Sequence, residues 1–123
     1  IESIPGPSAV LTSLTASGLP TDRFIFEGFL PPRKNRKSRL ERLKNEVATL
    51  IFFENPNRLQ RTLNDIHICL GDRPAVIARE MTKIHEEYVR GTVSQLISYT
   101  EKNKLKGECV ILIGKDKKSV YFN

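Results

Sequence analysis

The chain of 123 residues has no tryptophan, one methionine, two cysteines and two histidines. Each scarcity removes a class of protein. Cys69 and Cys109 make no disulfide framework, neither lies in a C-x-x-C motif, and a domain of this length does not depend on a bridge. A buried, reduced pair in a cytosolic setting is the expectation. His67 and His85 with two separate thiols fall short of a zinc ligand set, so no metal is expected. No apolar stretch approaches the roughly 20 residues of a membrane span. Ile1 is not followed by a basic-then-apolar leader, so a cytoplasmic protein without membrane contact is expected. Neither G-x-G-x-x-G after a strand nor G-x-x-x-x-G-K-[ST] occurs, which excludes a Rossmann dinucleotide site and a P-loop. G-x-S-x-G is also missing, and the run from His85-Glu86 reaches Val89 where a zincin needs histidine.

What remains supports one packed domain. Leu, Ile, Val and Phe make up three residues in ten, well above the roughly 20% below which chains tend to stay disordered. The net charge is +6, and it is concentrated. Residues 31–45, PPRKNRKSRLERLKN, hold seven basic side chains against Glu41 alone, which leaves the rest of the chain neutral. A local positive field of this kind attracts phosphate backbones or acidic small molecules, although a solvated helix face has the same composition.

Helix and strand signals alternate. Ser8 can cap a helix through Val10, Leu11 and Leu14 that stops at Gly18. Phe24, Phe26 and Gly28-Phe29 read as an aromatic strand. Leu40, Leu43 and Val47 share one face of a helix through the basic segment. Thr49 to Phe53 is a continuous apolar run, as in a strand buried on both faces. Asn55-Pro56 opens a helix carrying Leu59, Leu63, Ile66 and Leu70, with Gly71 at its end. Pro74 to Ala78 and Glu86 to Arg90 read as strands. Thr92-Val-Ser-Gln95 is a capping box for a helix with Val93, Leu96 and Ile97 inward. Cys109 to Ile113 is an apolar strand, and Val120 to Phe122 is a candidate edge. The alternation predicts a three-layer α/β/α domain with a mixed central sheet.

Open α/β sheets bind ligands beyond the carboxyl ends of their strands. Glu54-Asn55 and Arg79-Glu80-Met81-Thr82-Lys83 stand at two such ends, and Ser8 stands at a helix start. Capping alone accounts equally for Asn55, and a strand-end ion pair for Arg79 and Glu80.

These residues also carry a resemblance. IPGPSA (4–9), SGLPTDRF (17–24), GFLP (28–31), ENPNR (54–58), GDR (71–73), RE-x-TK-x-HEE (79–87), RGT (90–92) and KGE (106–108) follow one another in register. Together they resemble the carboxyl-terminal domain of the tetrapyrrole (corrin/porphyrin) methylase superfamily, nearest its bacterial branch of small-subunit ribosomal RNA ribose-2′-O-methyltransferases. The resemblance spans residues 1–114, and the tail 115–123 matches no motif. Phe53 and the run Asn55-Pro56-Asn57-Arg58 stand where a Tyr-Glu-Ser-Pro-His-Arg-like sequence is usual, Met81 replaces Leu, and Pro32 is extra.

The resemblance implies S-adenosylmethionine as cofactor, held between two halves of which this chain is the second. Half an active site should not turn over alone. It places Ser8, Ala9, Glu54, Met81, Thr82, Glu108 and Cys109 on the cofactor wall. The implied reaction is transfer of a methyl group to a ribose 2′-hydroxyl, for which a base within hydrogen-bond reach helps. Glu54 and Lys83 are its candidates, with Glu80 and Glu86 behind them. Lys34, Arg36, Lys37, Arg39 and Arg58 are the expected RNA contacts. Implied partners are the small ribosomal subunit, the chain's own amino-terminal half and a second copy. A corrin or porphyrin C-methylase and a non-catalytic RNA-binding module are the rival readings. The spread of cations along an exposed arm favours RNA over a pocketed macrocycle.

Overall fold

The computed structural model describes residues 13–80 and 86–116. Residues 13–17 are helical (α1). There follow β1 (Phe24–Phe29), α2 (Arg36–Arg42), β2 (Thr49–Glu54), α3 (Pro56–Leu70), β3 (Pro74–Glu80), β4 (Glu86–Thr92), α4 (Val93–Lys102) and β5 (Cys109–Ile113). The sheet order is β1-β2-β5-β3-β4. β1 and β2 are parallel, β5 lies antiparallel between β2 and β3, and β4 is antiparallel to β3. Thus β1, β2 and β3 point the same way. Their carboxyl ends share one edge with the amino ends of β4 and β5.

Burial follows this order. Every residue of β2 and of β5 is buried, as continuous apolar strands in the middle of a covered sheet should be. β1 is half exposed at the sheet's margin. On one face Leu50, Phe52, Ile77 and Ile111 pack beneath Leu40 of α2, Leu63 and Ile66 of α3 and Leu96 of α4. On the other, Ile51, Phe53, Val76, Val110 and Leu112 pack against Leu14 and Leu19 at the end of α1. Helices therefore flank both faces of a mixed sheet, the expected three layers.

Local chemistry sets the boundaries. The Asn55 side chain accepts from the Asn57 N–H at 3.0 Å, with Pro56 at the first helical position. Gly71 closes α3 at a φ of +90°, a conformation open to glycine without strain. Thr92 and Gln95 form both halves of the capping box.

Three expectations need correction. The helix through the basic segment ends at Arg42, so Val47 lies past the following turn, just before β2, and is 55% exposed. Arg36 takes an inward position instead, at 5% exposure. β3 and β4 each run two residues further than Ala78 and Arg90, because their ladder continues from Pro74↔Thr92 to Glu80↔Glu86. The candidate edge Val120–Phe122 lies outside the described residues.

Candidate functional site

The shared edge of the sheet is where the topology collects functional candidates. Cross-strand register places Glu54 beside Cys109, Cys109 beside Arg79, and Arg79 beside Glu87, one continuous rung from β2 to β4. The rung above it is Phe53, Val110, Ala78 and Tyr88, whose side chains pack on the face toward α1. At the β1 side Phe26 and Phe29 stand edge-on to Phe53, at centroid distances of 4.9 and 5.6 Å. Ser8, Ala9, Met81, Thr82 and Lys83, all expected at this edge, lie outside the described residues.

Glu54 is held in a way its sequence position did not foretell. Its side chain turns to the helix face, like Leu50 and Phe52, and is 3% exposed. Oε1 accepts from the Asn55 N–H at 2.8 Å, and Oε2 accepts from the Thr62 hydroxyl at 2.6 Å. That hydroxyl in turn accepts from Arg36 Nη2 at 2.5 Å. Arg36 Nε donates to Asp65 at 2.6 Å, and Nη1 to the Pro31 carbonyl at 3.2 Å. The result is a chain, Glu54–Thr62–Arg36–Asp65, that ties the end of β2 to α3 and α2. A carboxyl group buried and engaged on both oxygens is out of hydrogen-bond reach of an external hydroxyl. What Glu54 can turn toward a ligand is its main chain. The same chain corrects the expectation for Arg36: a buried, fully directed guanidinium does not reach phosphate.

Across the rung, Arg79 Nε donates to Glu87 at 2.6 Å and Nη1 to the Lys106 carbonyl at 3.0 Å. The strand-end ion pair exists, but its acid is Glu87 on the neighbouring strand. Burial pushes the Cys109 thiol up to about 11, so it is a protonated apolar filler. Glu108, in the turn before β5, differs from these. Its Oε2 is buried and has no hydrogen-bond partner among the described residues, an unmet acceptor at the shared edge of the strands.

Other motif residues serve the scaffold. Asp72 accepts from the Ser94 N–H and hydroxyl, both at 2.8 Å, at the start of α4. Arg73 donates to the carbonyls of Leu70 and Lys44. Arg90 donates to the Ala16 carbonyl at 2.7 Å, tying β4 to the end of α1. Of the expected phosphate contacts, Lys34, Lys37 and Arg58 are exposed, and Arg39 is partly exposed with Glu27 at 3.4 Å. Sequence reasoning missed Thr62 and Asp65. The one available signal was their spacing on α3: Thr62 and Asp65 are three apart, so both fall on the helix face that meets α2.

Among the described residues no group of three or more His, Cys, Asp or Glu could hold a metal, and no helix is long and apolar enough to cross a membrane.

The model of the family described as Tetrapyrrole (Corrin/Porphyrin) Methylases matches residues 1–97. A Thermotoga maritima protein named Ribosomal RNA small subunit methyltransferase I is 51% identical over 117 residues, covering 94% of this chain and 53% of the relative. Its Bacillus subtilis namesake is 41% identical over 119 residues, covering 95% of this chain and 41% of the relative. The chain thus spans about half the length, or less, of these curated relatives. Among solved structures, the cobalt precorrin-4 methyltransferase CbiF superposes with a TM-score of 0.61 at 22% identity, over 87% of this chain and 47% of that one. The methyltransferase CobJ gives 0.63 at 20% identity, over 86% and 47%. At such identities these two neighbours speak for the fold, and they share the layered sheet seen here. With the family model matched over most of its length, the chain belongs to the tetrapyrrole (corrin/porphyrin) methylase family.

Proposed function

We propose that the full-length protein containing this chain transfers a methyl group from S-adenosylmethionine to a ribose 2′-hydroxyl of a cytidine in small-subunit ribosomal RNA. The observation that carries the reading is the match of nearly the whole chain to relatives bearing the name of that ribosomal RNA enzyme. The geometry agrees with it. Three strands end at one edge, the edge adjoins exposed cations at Lys34 and Arg58, and Glu108 leaves a buried acceptor without a donor among the described residues. An amine or hydroxyl of the cofactor is a suitable donor for that oxygen, and apolar strand-end surface such as Phe53 suits an adenine-bearing ligand.

S-adenosylmethionine, when bound, supplies an electrophilic methyl group on a sulfonium. The chain's contribution is alignment, since holding the hydroxyl in line with that methyl removes much of the barrier. Ser8, Ala9, Met81, Thr82, Glu108 and Cys109, with the main chain of Glu54, form this half of the wall. The chain Glu54–Thr62–Arg36–Asp65 fixes the end of β2 that the wall is built on. With Glu54 engaged inside the fold, Lys83 is the base assigned to the 2′-hydroxyl proton. Lys34, Lys37, Arg39 and Arg58 meet RNA phosphates, and the ribose hydroxyl distinguishes RNA from DNA. The amino-terminal half supplies the opposite wall, a second copy completes a dimer, and the work is cytoplasmic.

The reading is tested with purified full-length protein, methyl-labelled S-adenosylmethionine and small ribosomal subunits. Label recovered in a 2′-O-methylated nucleoside supports it. Transfer to a corrin or porphyrin macrocycle with none to RNA overturns it. Lys83→Met should abolish transfer while cofactor binding persists; transfer at the wild-type rate would remove Lys83 from the role.

A further inference from the structure

The cations that matter most for a polyanion are not those that cluster in the sequence. Seven basic residues crowd 33–44, yet α2 runs from the carboxyl edge of the sheet toward the opposite end. Arg73, just before β3, donates to the Lys44 carbonyl, which fixes the end of the basic segment at the amino end of β3. Arg42 and Lys44 therefore project at the edge remote from the cleft. Lys102, Lys104 and Lys106, by contrast, lead into β5, whose amino end lies at the cleft edge beside Glu54. All three are exposed and none has an ion pair with a described residue. The Lys106 carbonyl is held by Arg79 at 3.0 Å, which pins this loop to the strand ends.

The structure joins these lysines to the other cations of that edge. Arg61 Nη2 donates to the Pro32 carbonyl at 3.3 Å, bringing the loop of Arg33 and Lys34 against the first turns of α3. On the other flank of α3 a groove of about 380 Å³ separates its start from the end of α4. Asn57, Gln60, Thr100, Asn103, Lys102 and Lys104 line its walls above Leu59 and Leu105, and Glu101 is the one acid among its lining residues. Amide, hydroxyl and ammonium groups together are the set that contacts phosphate and sugar. Three acids are committed to partners of their own. Asp65 faces Arg36, Glu87 faces Arg79, and Asp72 caps α4.

We infer that the RNA-binding surface is the rim around the cleft edge, formed by residues 31–35, the first turns of α3 and residues 102–106, with Lys102, Lys104 and Lys106 as phosphate contacts. The substrate class rests on the methyltransferase reading above; the location rests on the fold. An RNA strand crossing this rim passes over the strand ends and the first turn of α2, with Lys37 and Arg39, whereas one continuing along α2 to Arg42 and Lys44 leaves them.

The test uses the full-length protein and a small-subunit ribosomal RNA fragment, with binding measured across a salt series. Changing Lys102, Lys104 and Lys106 together to Ala should weaken binding at least tenfold at about 0.1 M salt. It should also lower the log–log slope by roughly 2, since each lost contact is worth about 0.7–0.9. Affinity for S-adenosylmethionine should stay unchanged. Changing Arg42 and Lys44 to Ala should leave the slope as it was. If the lysine variant keeps the wild-type slope, or the Arg42/Lys44 variant loses more, the rim is wrong while the methyltransferase reading stands. A wild-type protein that binds no RNA overturns both.

Discussion

Thr62 and Arg36 are the middle of one buried chain whose ends are Glu54 and Asp65, and removing either breaks it. Breaking a buried pair by deleting one member typically costs about 3–5 kcal/mol, because the remaining charge stays uncompensated. Arg36→Met should therefore lower stability by about that amount. Thr62→Val, which keeps the shape but strands two polar groups, should cost about 1–3 kcal/mol. Denaturant unfolding of the full-length protein measures both, and values within 0.5 kcal/mol of wild type would show the chain to be idle. Cys109 makes a second residue-level prediction. Its thiol is raised by burial from the ordinary 9.0 to about 11. A raised folded value means that the stabilising contribution is complete below pH 9 and is lost as pH climbs toward 11. Wild type should lose stability across that window, and Cys109→Val should lose less; equal losses would contradict the assignment. Both residues stood out in the sequence, but their directions did not. Since all of Thr49–Glu54 is buried, the strand has no polar alternation to show which face Glu54 takes.

At the scale of elements the sequence was most legible where backbone chemistry is local. The Asn55 cap, Pro56, the Gly71 stop and the Thr92–Gln95 box are all where their side chains require them. The α2 boundary was not legible, because Val47 satisfied the apolar spacing while Arg36 broke it. Asp65 and Thr62, distant in sequence, with the Pro31 carbonyl, make an inward arginine favourable there. The start of α4 offers a test of a cap reinforced from outside the helix. Thr92→Ala should cost about 1 kcal/mol. Burial works to raise the Asp72 carboxyl, but the hydrogen bonds from Ser94 prevail and hold it below the usual 3.8. A depressed folded value contributes stability that is present above the unfolded value and fades as pH falls through the folded one. Ser94→Ala should therefore be destabilised at pH 7 and draw closer to wild type as pH falls below 3.8, as read by thermal unfolding. A gap that does not narrow at low pH would assign the loss to packing rather than to Asp72.

For the whole molecule, the sequence disclosed the class of fold and the net charge but not the distribution of that charge in space. Strand order decides which loops share an edge, and the insertion of β5 between β2 and β3 is what brings residues 102–109 beside Glu54. No local pattern encodes that insertion. The same topology gathers the carboxyl ends of β1, β2 and β3 on the edge that the rest of the full-length protein is proposed to cover. Mass mapping of small-subunit ribosomal RNA from a strain lacking the gene, beside the strain complemented with it, tests the proposed modification of ribosomal RNA most directly. One cytidine should lose its ribose methyl group in the deletion strain and regain it on complementation. Retention of every ribose methyl group, with a corrinoid or sirohaem pathway stalled instead, would contradict it.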